Sequence, residues 1–393
     1  MSDSGDPDTD PLSILLLARS LEVGGAERQL VDLAKELKDR GHRVRIALFY
    51  RRGSLLDDAE CAGIEVLDLG KRGRWDTLGF LARTVAAVRR TRPDIIFSIL
   101  GGPNIVAAVA KPLAGSAGVV WTVLNSDYDP SVDHWLARIG YRIEAALARS
   151  PDAIIANSAA GRAFALSRGF PRARVAVVPN GIDTNRFRPD RTLRAEQRRK
   201  LGLADDEIAV GVLARLNSTK GYPAFLRAAA EVARTEERAR FLCVGSGPEL
   251  DALRDLAAEL RITHRVIFTG ELDAAAALNA FDIACSPSLT EGFSNAIAEA
   301  MSCGLPCIVT DVGDSAAIVG DAGTVVPPGS PEALAAAIQA QIANLDKHDP
   351  ASSRRRIVDN FSVGTMVERT LEVFRSVLRA ERASPASAAP PIP

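Results

Sequence analysis

The feature that most constrains this chain is a repeated alternation of short apolar runs with longer stretches whose apolar residues recur at helical spacing. Ser13-Ile-Leu-Leu-Leu-Ala18 is too short for a helix and precedes a loop with Gly24-Gly25, so it reads as a buried parallel strand. From 26 to 40, Leu30, Val31, Leu33, Ala34 and Leu37 recur at helical spacing, and Gly41 ends the helix. Further strands are predicted at 44–49, 94–98, 119–123, 153–157 and 175–178, with helices at 76–90, 104–110, 136–148 and 159–167. Such alternation predicts a parallel sheet with helices on both faces.

Pro179-Asn-Gly-Ile-Asp183 breaks the pattern, and a charged segment follows from 186 to 200. The alternation restarts at 208–213 and continues through strands at 241–244, 266–269, 283–286, 307–310 and 323–326. The 393 residues therefore read as two doubly wound α/β domains, 13–190 and 191–380, without a sequence repeat between them. A helix at 363–378 follows the second domain and is placed to pack back on the first. The acidic residues 1–12 and the Ser/Ala/Pro-rich residues 381–393 read as disordered tails.

Composition excludes several classes. The formal net charge of -1 lacks the basic excess of a nucleic-acid binder. Five cysteines, an odd and irregularly spaced set, do not make a disulfide framework, and Cys303-Gly-Leu-Pro-Cys307 lacks zinc-site spacing. The acidic start is the opposite of a signal peptide, and the longest uncharged stretch, 95–110, is too short to span a bilayer. These features predict a cytoplasmic chain. Charge is unevenly split: residues 11–190 hold 26 Lys/Arg against 19 Asp/Glu. A basic first domain could rest on the anionic inner face of a membrane, and the helix around 75–92 could serve that role or could simply pack on the sheet.

The most informative stretch is Ser286-Pro-Ser-Leu-Thr-Glu-Gly-Phe-Ser-Asn-Ala-Ile-Ala-Glu-Ala-Met-Ser-Cys-Gly-Leu-Pro306. A strand ends, a loop carries Glu291, Gly292 and Phe293, and a helix begins with Ser294 or Asn295 as N-cap. Such a helix start suits an anion or a hydroxyl-rich ligand. Glu299 is the one charge in a helix otherwise of Ala, Ile and Met; it either points to solvent or accepts hydrogen bonds from a ligand such as two adjacent sugar hydroxyls. Arg215 and Lys220 share one loop after the 208–213 strand, at the carboxyl end where parallel sheets bind ligands. A guanidinium fork beside an ammonium suits a diphosphate, although either alone would more often be a solvated surface charge. Gly24 and Gly25 follow the first strand without the third glycine of the dinucleotide fingerprint, which weakens a dehydrogenase reading.

Taken together, five motifs carry a family resemblance: Gly24-Gly25-Ala26-Glu27-Arg28, Val178-Pro-Asn-Gly-Ile-Asp183, Arg215 with Lys220-Gly221, Val244-Gly-Ser-Gly-Pro-Glu249, and Glu291 with Glu299. In this order they resemble the retaining, nucleotide-sugar-dependent glycosyltransferases of family 4. The resemblance implies a GT-B fold, two Rossmann-like domains facing each other across a cleft, with the first the acceptor domain and the second the donor domain. It implies that Glu299 holds the donor's ribose hydroxyls and that Glu291 lies against the donor sugar near the backbone of Gly292, Phe293, Ser294 and Asn295. Arg215 and Lys220 would neutralise the donor diphosphate, faced also by Gly24 and Gly25, so that no metal or other cofactor is needed.

The implied activity is hexosyl transfer from a nucleoside-diphosphate sugar to a hydroxyl acceptor, a saccharide and above all a lipid-linked one of bacterial surface polysaccharide or glycoconjugate synthesis. One departure matters. Many members carry a histidine after the strand matching 119–123, where this chain has Leu124-Asn125-Ser126-Asp127. Asn125 or Ser126 is placed to make the same hydrogen bond, and a front-face mechanism uses the departing phosphate as base. Two alternatives stand beside this reading: an epimerase or hydrolase of the same fold, and a donor-binding subunit without activity.

Overall fold

The computed structural model describes residues 10–22, 24–73, 75–113, 115–124 and 135–383. The chain forms two compact units, one of residues 1–181 with 363–393 and one of residues 182–362.

The first unit alternates β1 (Ser13–Ala18), α1 (Gly25–Asp39), β2 (Arg43–Leu48), α2 (Leu56–Cys61), β3 (Glu65–Asp68) and α3 (Leu78–Thr91). It continues with β4 (Ile95–Ser98), α4 (Gly101–Ala110), β5 (Gly118–Val123), α5 (Trp135–Leu147), β6 (Ala153–Ala156), α6 (Ala159–Ser167) and β7 (Val175–Val177). Its seven strands are parallel in the order β3-β2-β1-β4-β5-β6-β7. Strands such as β1 and β5 are buried on both faces, which is why they read as unbroken apolar runs. On one face Leu30, Leu33 and Leu37 of α1 pack with sheet residues such as Ile14, Leu16 and Ile46. On the other, Phe80 and Val88 of α3, Ala107 of α4 and Ala165 of α6 pack with Leu15, Leu17 and Trp121. Phe80 and Val88 of α3 are therefore covered by the sheet, while Leu78 at its start is exposed.

The second unit contains α7 (Arg191–Leu201), β8 (Ile208–Leu213), α8 (Tyr222–Val232), β9 (Ala239–Val244), α9 (Leu250–Glu259), β10 (Val266–Gly270) and α10 (Ala274–Ala280). Then come β11 (Ile283–Ser286), α11 (Asn295–Ser302), β12 (Cys307–Thr310), α12 (Ser315–Val319), β13 (Thr324–Val326), α13 (Pro331–Ile342) and α14 (Pro350–Phe361). Its six parallel strands run β10-β9-β8-β11-β12-β13. Gly211 on β8 has no room for a Cβ, which would lie 2.2 Å from the Phe281 ring ahead of β11.

One boundary differs from the sequence expectation. The second unit begins at Ile182 rather than near Asp190, because Ile182 and Phe187 are buried in its core and Asp190 caps α7 through the Thr192 and Leu193 N–H groups. The final helix, α15 (Val363–Ala383), belongs to the first unit, where Met366, Val367, Leu371 and Phe374 join the α1 core. No helix among the described residues is long and apolar enough to cross a membrane.

Candidate functional site

In an open parallel sheet, ligands bind beyond the carboxyl ends of the strands where the strand order reverses. In the second unit that point lies between β8 and β11. The loop after β8 carries Arg215 and Lys220; the loop after β11 carries Ser288, Glu291 and Phe293 and leads into α11.

The two loops are held together by backbone. The Leu289 N–H donates to the Thr219 carbonyl at 2.8 Å. Gly221 has φ +67°, and a Cβ there would sit 1.8 Å from the Pro287 carbonyl oxygen, so both its conformation and the contact demand glycine. The result is an ion pair: Lys220 Nζ lies 2.6 Å from Glu291 Oε1. Ser288 Oγ donates to the same oxygen at 2.8 Å. Thr310 at the end of β12 fixes the loop in turn by donating to the Ser288 carbonyl at 2.6 Å. Behind Glu291, Gly313 (φ +56°) packs against the Glu291 and Gly292 carbonyls, and the Asp314 N–H donates to Gly292 O at 3.0 Å.

A cavity of about 250 Å³ opens at this point, lined by Arg215, Lys220, Ser288, Glu291, Phe293, Ser294 and Asn295 among others. Ser294 is the N-cap of α11, in extended conformation and with no side-chain capping bond. The first N–H groups of the helix thus begin at the cavity wall with the positive end of the helix dipole. Arg215 is exposed, and its guanidinium has no hydrogen-bond or ion-pair partner among the described residues. The site therefore offers one open guanidinium, one ammonium already shared with a carboxylate, and a helix N-terminus: a receptor for a diphosphate beside a hydroxyl acceptor.

The structure thus brings together Arg215, Lys220, Glu291, Phe293, Ser294 and Asn295. Gly292 supports the loop through its carbonyl. Glu299 stands half-buried one turn further along α11, outside the residues that line the cavity. Its charge reaches Cys303, whose thiol is pushed up to about 12 by burial first and by Glu299 second. Gly24 and Gly25 open α1 in the other unit, where the Gly24 carbonyl accepts the Arg28 N–H at 3.1 Å. Asn125 lies outside the described residues. The sequence carries no signal of the support that Ser288, Thr310 and the Gly221–Pro287 contact give to the site. Among the described residues no three His, Cys, Asp or Glu side chains are grouped to hold a metal ion.

Residues 23–186 match the model of Glycosyltransferase Family 4, and residues 207–344 match that of Glycosyl transferases group 1. The chain belongs to this family. It has the GT-B fold and is a nucleotide-sugar-dependent glycosyltransferase. The crystal structure of HepE from Anabaena in complex with UDP is similar, with TM-score 0.80 and 26% identity, covering 93% of this chain and 100% of that one. The N-acetyl-alpha-D-glucosaminyl L-malate synthase of Bacillus anthracis is 25% identical over 380 residues, 92% of this chain and 96% of its own. The GDP-mannose-dependent alpha-(1-6)-phosphatidylinositol monomannoside mannosyltransferase of Mycolicibacterium smegmatis is 30% identical over 229 residues, 54% of this chain and 59% of its own. In this glycosyltransferase, Arg215, Lys220, Glu291 and Glu299 all fall within the matched segment of the second unit. An epimerase, a hydrolase or an inactive subunit is thereby set aside in favour of a transferase.

Proposed function

We propose that this glycosyltransferase moves a sugar, with retention of anomeric configuration, from a nucleoside-diphosphate sugar held in the second unit to a hydroxyl of a lipid-linked saccharide. The observation that carries the donor assignment is the meeting of Arg215, Lys220 and the α11 N-terminus around one cavity at the β8/β11 switch point. As the anomeric C–O bond breaks, negative charge grows on the departing diphosphate, and cations already in place stabilise that charge more than they stabilise the bound donor. Lys220 is oriented for this by Glu291, and Glu291 Oε1 is occupied by Lys220 and Ser288, leaving Oε2 for a hydroxyl of the donor sugar. Glu299 takes the ribose hydroxyls. No metal is required for charge neutralisation in this scheme.

The lipid-linked acceptor is supported by the mycolicibacterial relative, whose name gives it a phosphatidylinositol monomannoside substrate. The relatives differ in base, UDP for HepE and GDP-mannose for the mannosyltransferase, so the base is left to experiment. Calorimetry of the full chain with UDP-, GDP- and ADP-sugars, beside a Glu299→Ala variant, tests the donor site. One nucleotide is expected to bind, with about 10- to 100-fold weaker affinity in the variant, the size of losing hydrogen bonds to a charged group. Binding of none, or equal binding by the variant, would overturn the assignment.

A further inference from the structure

The first unit has an opening of its own at the carboxyl ends of its strands. A cavity of about 40 Å³ lies where β4, β5, β6 and β7 end, with further walls from α1 and α15. Half-buried Ala26, Gln29 and Leu124 form its more exposed side, and Leu33, Phe97 and Met366 are buried behind them. None of the lining side chains is charged.

The polar groups on the wall are not alike. Gln29 is tied at both ends of its amide, donating to the Gly181 carbonyl and accepting the Gly181 N–H, each at 2.8 Å. The Thr122 hydroxyl donates to the Ser98 carbonyl at 3.1 Å, and the Thr370 hydroxyl to the Met366 carbonyl at 2.8 Å. Asn157, directly after β6, is 6% exposed. Its Oδ1 accepts the Ser158 hydroxyl at 3.3 Å, but its Nδ2 has no hydrogen-bond partner among the described residues. The backbone holds it in place: its own N–H donates to the Val123 carbonyl at 3.3 Å, and Ser158 caps α6 by accepting the Gly161 N–H at 2.9 Å. A buried amide donor left unpaired is unfavourable, and a ligand carbonyl would remove that cost.

We propose that this cavity receives the acetamido group of an N-acetylated acceptor sugar. The carbonyl accepts a hydrogen bond from Asn157 Nδ2, and the methyl lies against the apolar wall. At about 10–15 Å³ for each water-sized group, the cavity has room for one such substituent and not for a sugar ring. A phosphate or carboxylate would be buried there without a cation. A bare hydroxyl leaves the apolar wall unfilled, and the methyl of a 6-deoxy sugar leaves the Asn157 amide unpaired; the acetamido group answers both. The inference rests on the saccharide-acceptor reading above: with the donor assigned to the second unit, the ligand left for the strand ends of the first is the acceptor.

Ligand-observed NMR titration of the full chain, with no nucleotide present, compares N-acetylglucosamine, N-acetylgalactosamine, glucose and rhamnose. At least one N-acetylated sugar should bind, with its acetyl methyl receiving the strongest saturation. Glucose and rhamnose should bind about tenfold more weakly, the size of one hydrogen bond or one buried methyl. Asn157→Asp keeps the shape and an oxygen for Ser158 but replaces the donor with an acceptor, and should weaken the N-acetylated sugar by about tenfold or more. Ala26→Leu, at the half-buried start of α1, narrows the cavity from its more exposed side and should do the same in a chain that melts like wild type. Equal affinity for glucose or rhamnose, or wild-type affinity in either variant, would overturn the acetamido assignment and leave a saccharide acceptor standing. Binding of no sugar would overturn both, and nucleotide binding measured beside it keeps that failure apart from failure of the donor site.

Discussion

Each unit opens a cavity at the carboxyl ends of its parallel strands, and the two cavities differ in kind. In the second unit the strand ends carry a guanidinium, an ammonium and a carboxylate around a cavity of about 250 Å³. In the first, a much smaller cavity of about 40 Å³ at the ends of β4–β7 is lined by Phe97, Ile99, Leu124 and Val178 with Asn157 and Asn180, and by no charged side chain. The scaffold places a ligand in the same relation to each sheet; the side chains at the strand ends decide its charge. The cavity suited to an anion thus stands in the second unit, while the small cavity of the first is walled by apolar and uncharged polar side chains.

The largest test of this contrast is Lys220→Ala. If the second unit alone carries the charge stabilisation, turnover should fall by roughly 100- to 1,000-fold, the usual scale for losing one preorganised charge contact in a transition state. The melting temperature should move little, because the partly exposed Glu291 keeps its bond from Ser288. Unchanged turnover would place the stabilising charge elsewhere.

A smaller effect sharpens how the site is held. Gly221→Ala forces a left-handed residue and a clash with the Pro287 carbonyl, at about 1–3 kcal/mol. It should weaken donor binding by about tenfold through displacement of Lys220. Gly202→Ala, at φ +70° with nothing within 4 Å, carries the backbone strain alone and should leave donor affinity as it was. Equal donor affinity in Gly221→Ala and wild type, by calorimetry, would show that the loop contact does not position the cation.

Most of the scaffold was legible because a parallel strand buried on both faces must be written as an unbroken apolar run. β3 escaped for the same reason: at the sheet edge its Glu65 and Asp68 are exposed, leaving no run to see. The charged segment 186–200 concealed a packed helix, since Arg198 is buried and reaches Asp282 at 3.0 Å while Arg194 reaches the same carboxylate at 2.6 Å. A charge count cannot distinguish such arginines from solvated ones. The charged residues of the site stood out through their place after predicted strands. Its supports did not, because the Ser288–Glu291–Lys220 arrangement depends on two loops about 70 residues apart meeting through the Gly221–Pro287 contact, which neither loop announces alone.

The smallest predicted effect separates the units by pH. His42, buried ahead of β2 in the first unit, accepts the Leu12 N–H on Nδ1 at 3.0 Å. Burial foremost, with the Arg375 and Arg40 charges, holds its imidazole below the ordinary histidine range. A depressed folded pKa means that the unfolded chain takes up the proton first as pH falls, so stability present above about pH 6.5 declines as pH drops through the interval between the unfolded and folded values. A thermal melt followed across that interval should show a shallow acid slope. His42→Asn retains an oxygen to accept the Leu12 N–H but cannot titrate there, so it should flatten the slope while leaving donor affinity in the second unit unchanged. The same slope in the variant would assign the acid sensitivity to other groups. A change in donor affinity would mean that the two units are less separate in their electrostatics than their two cavities suggest.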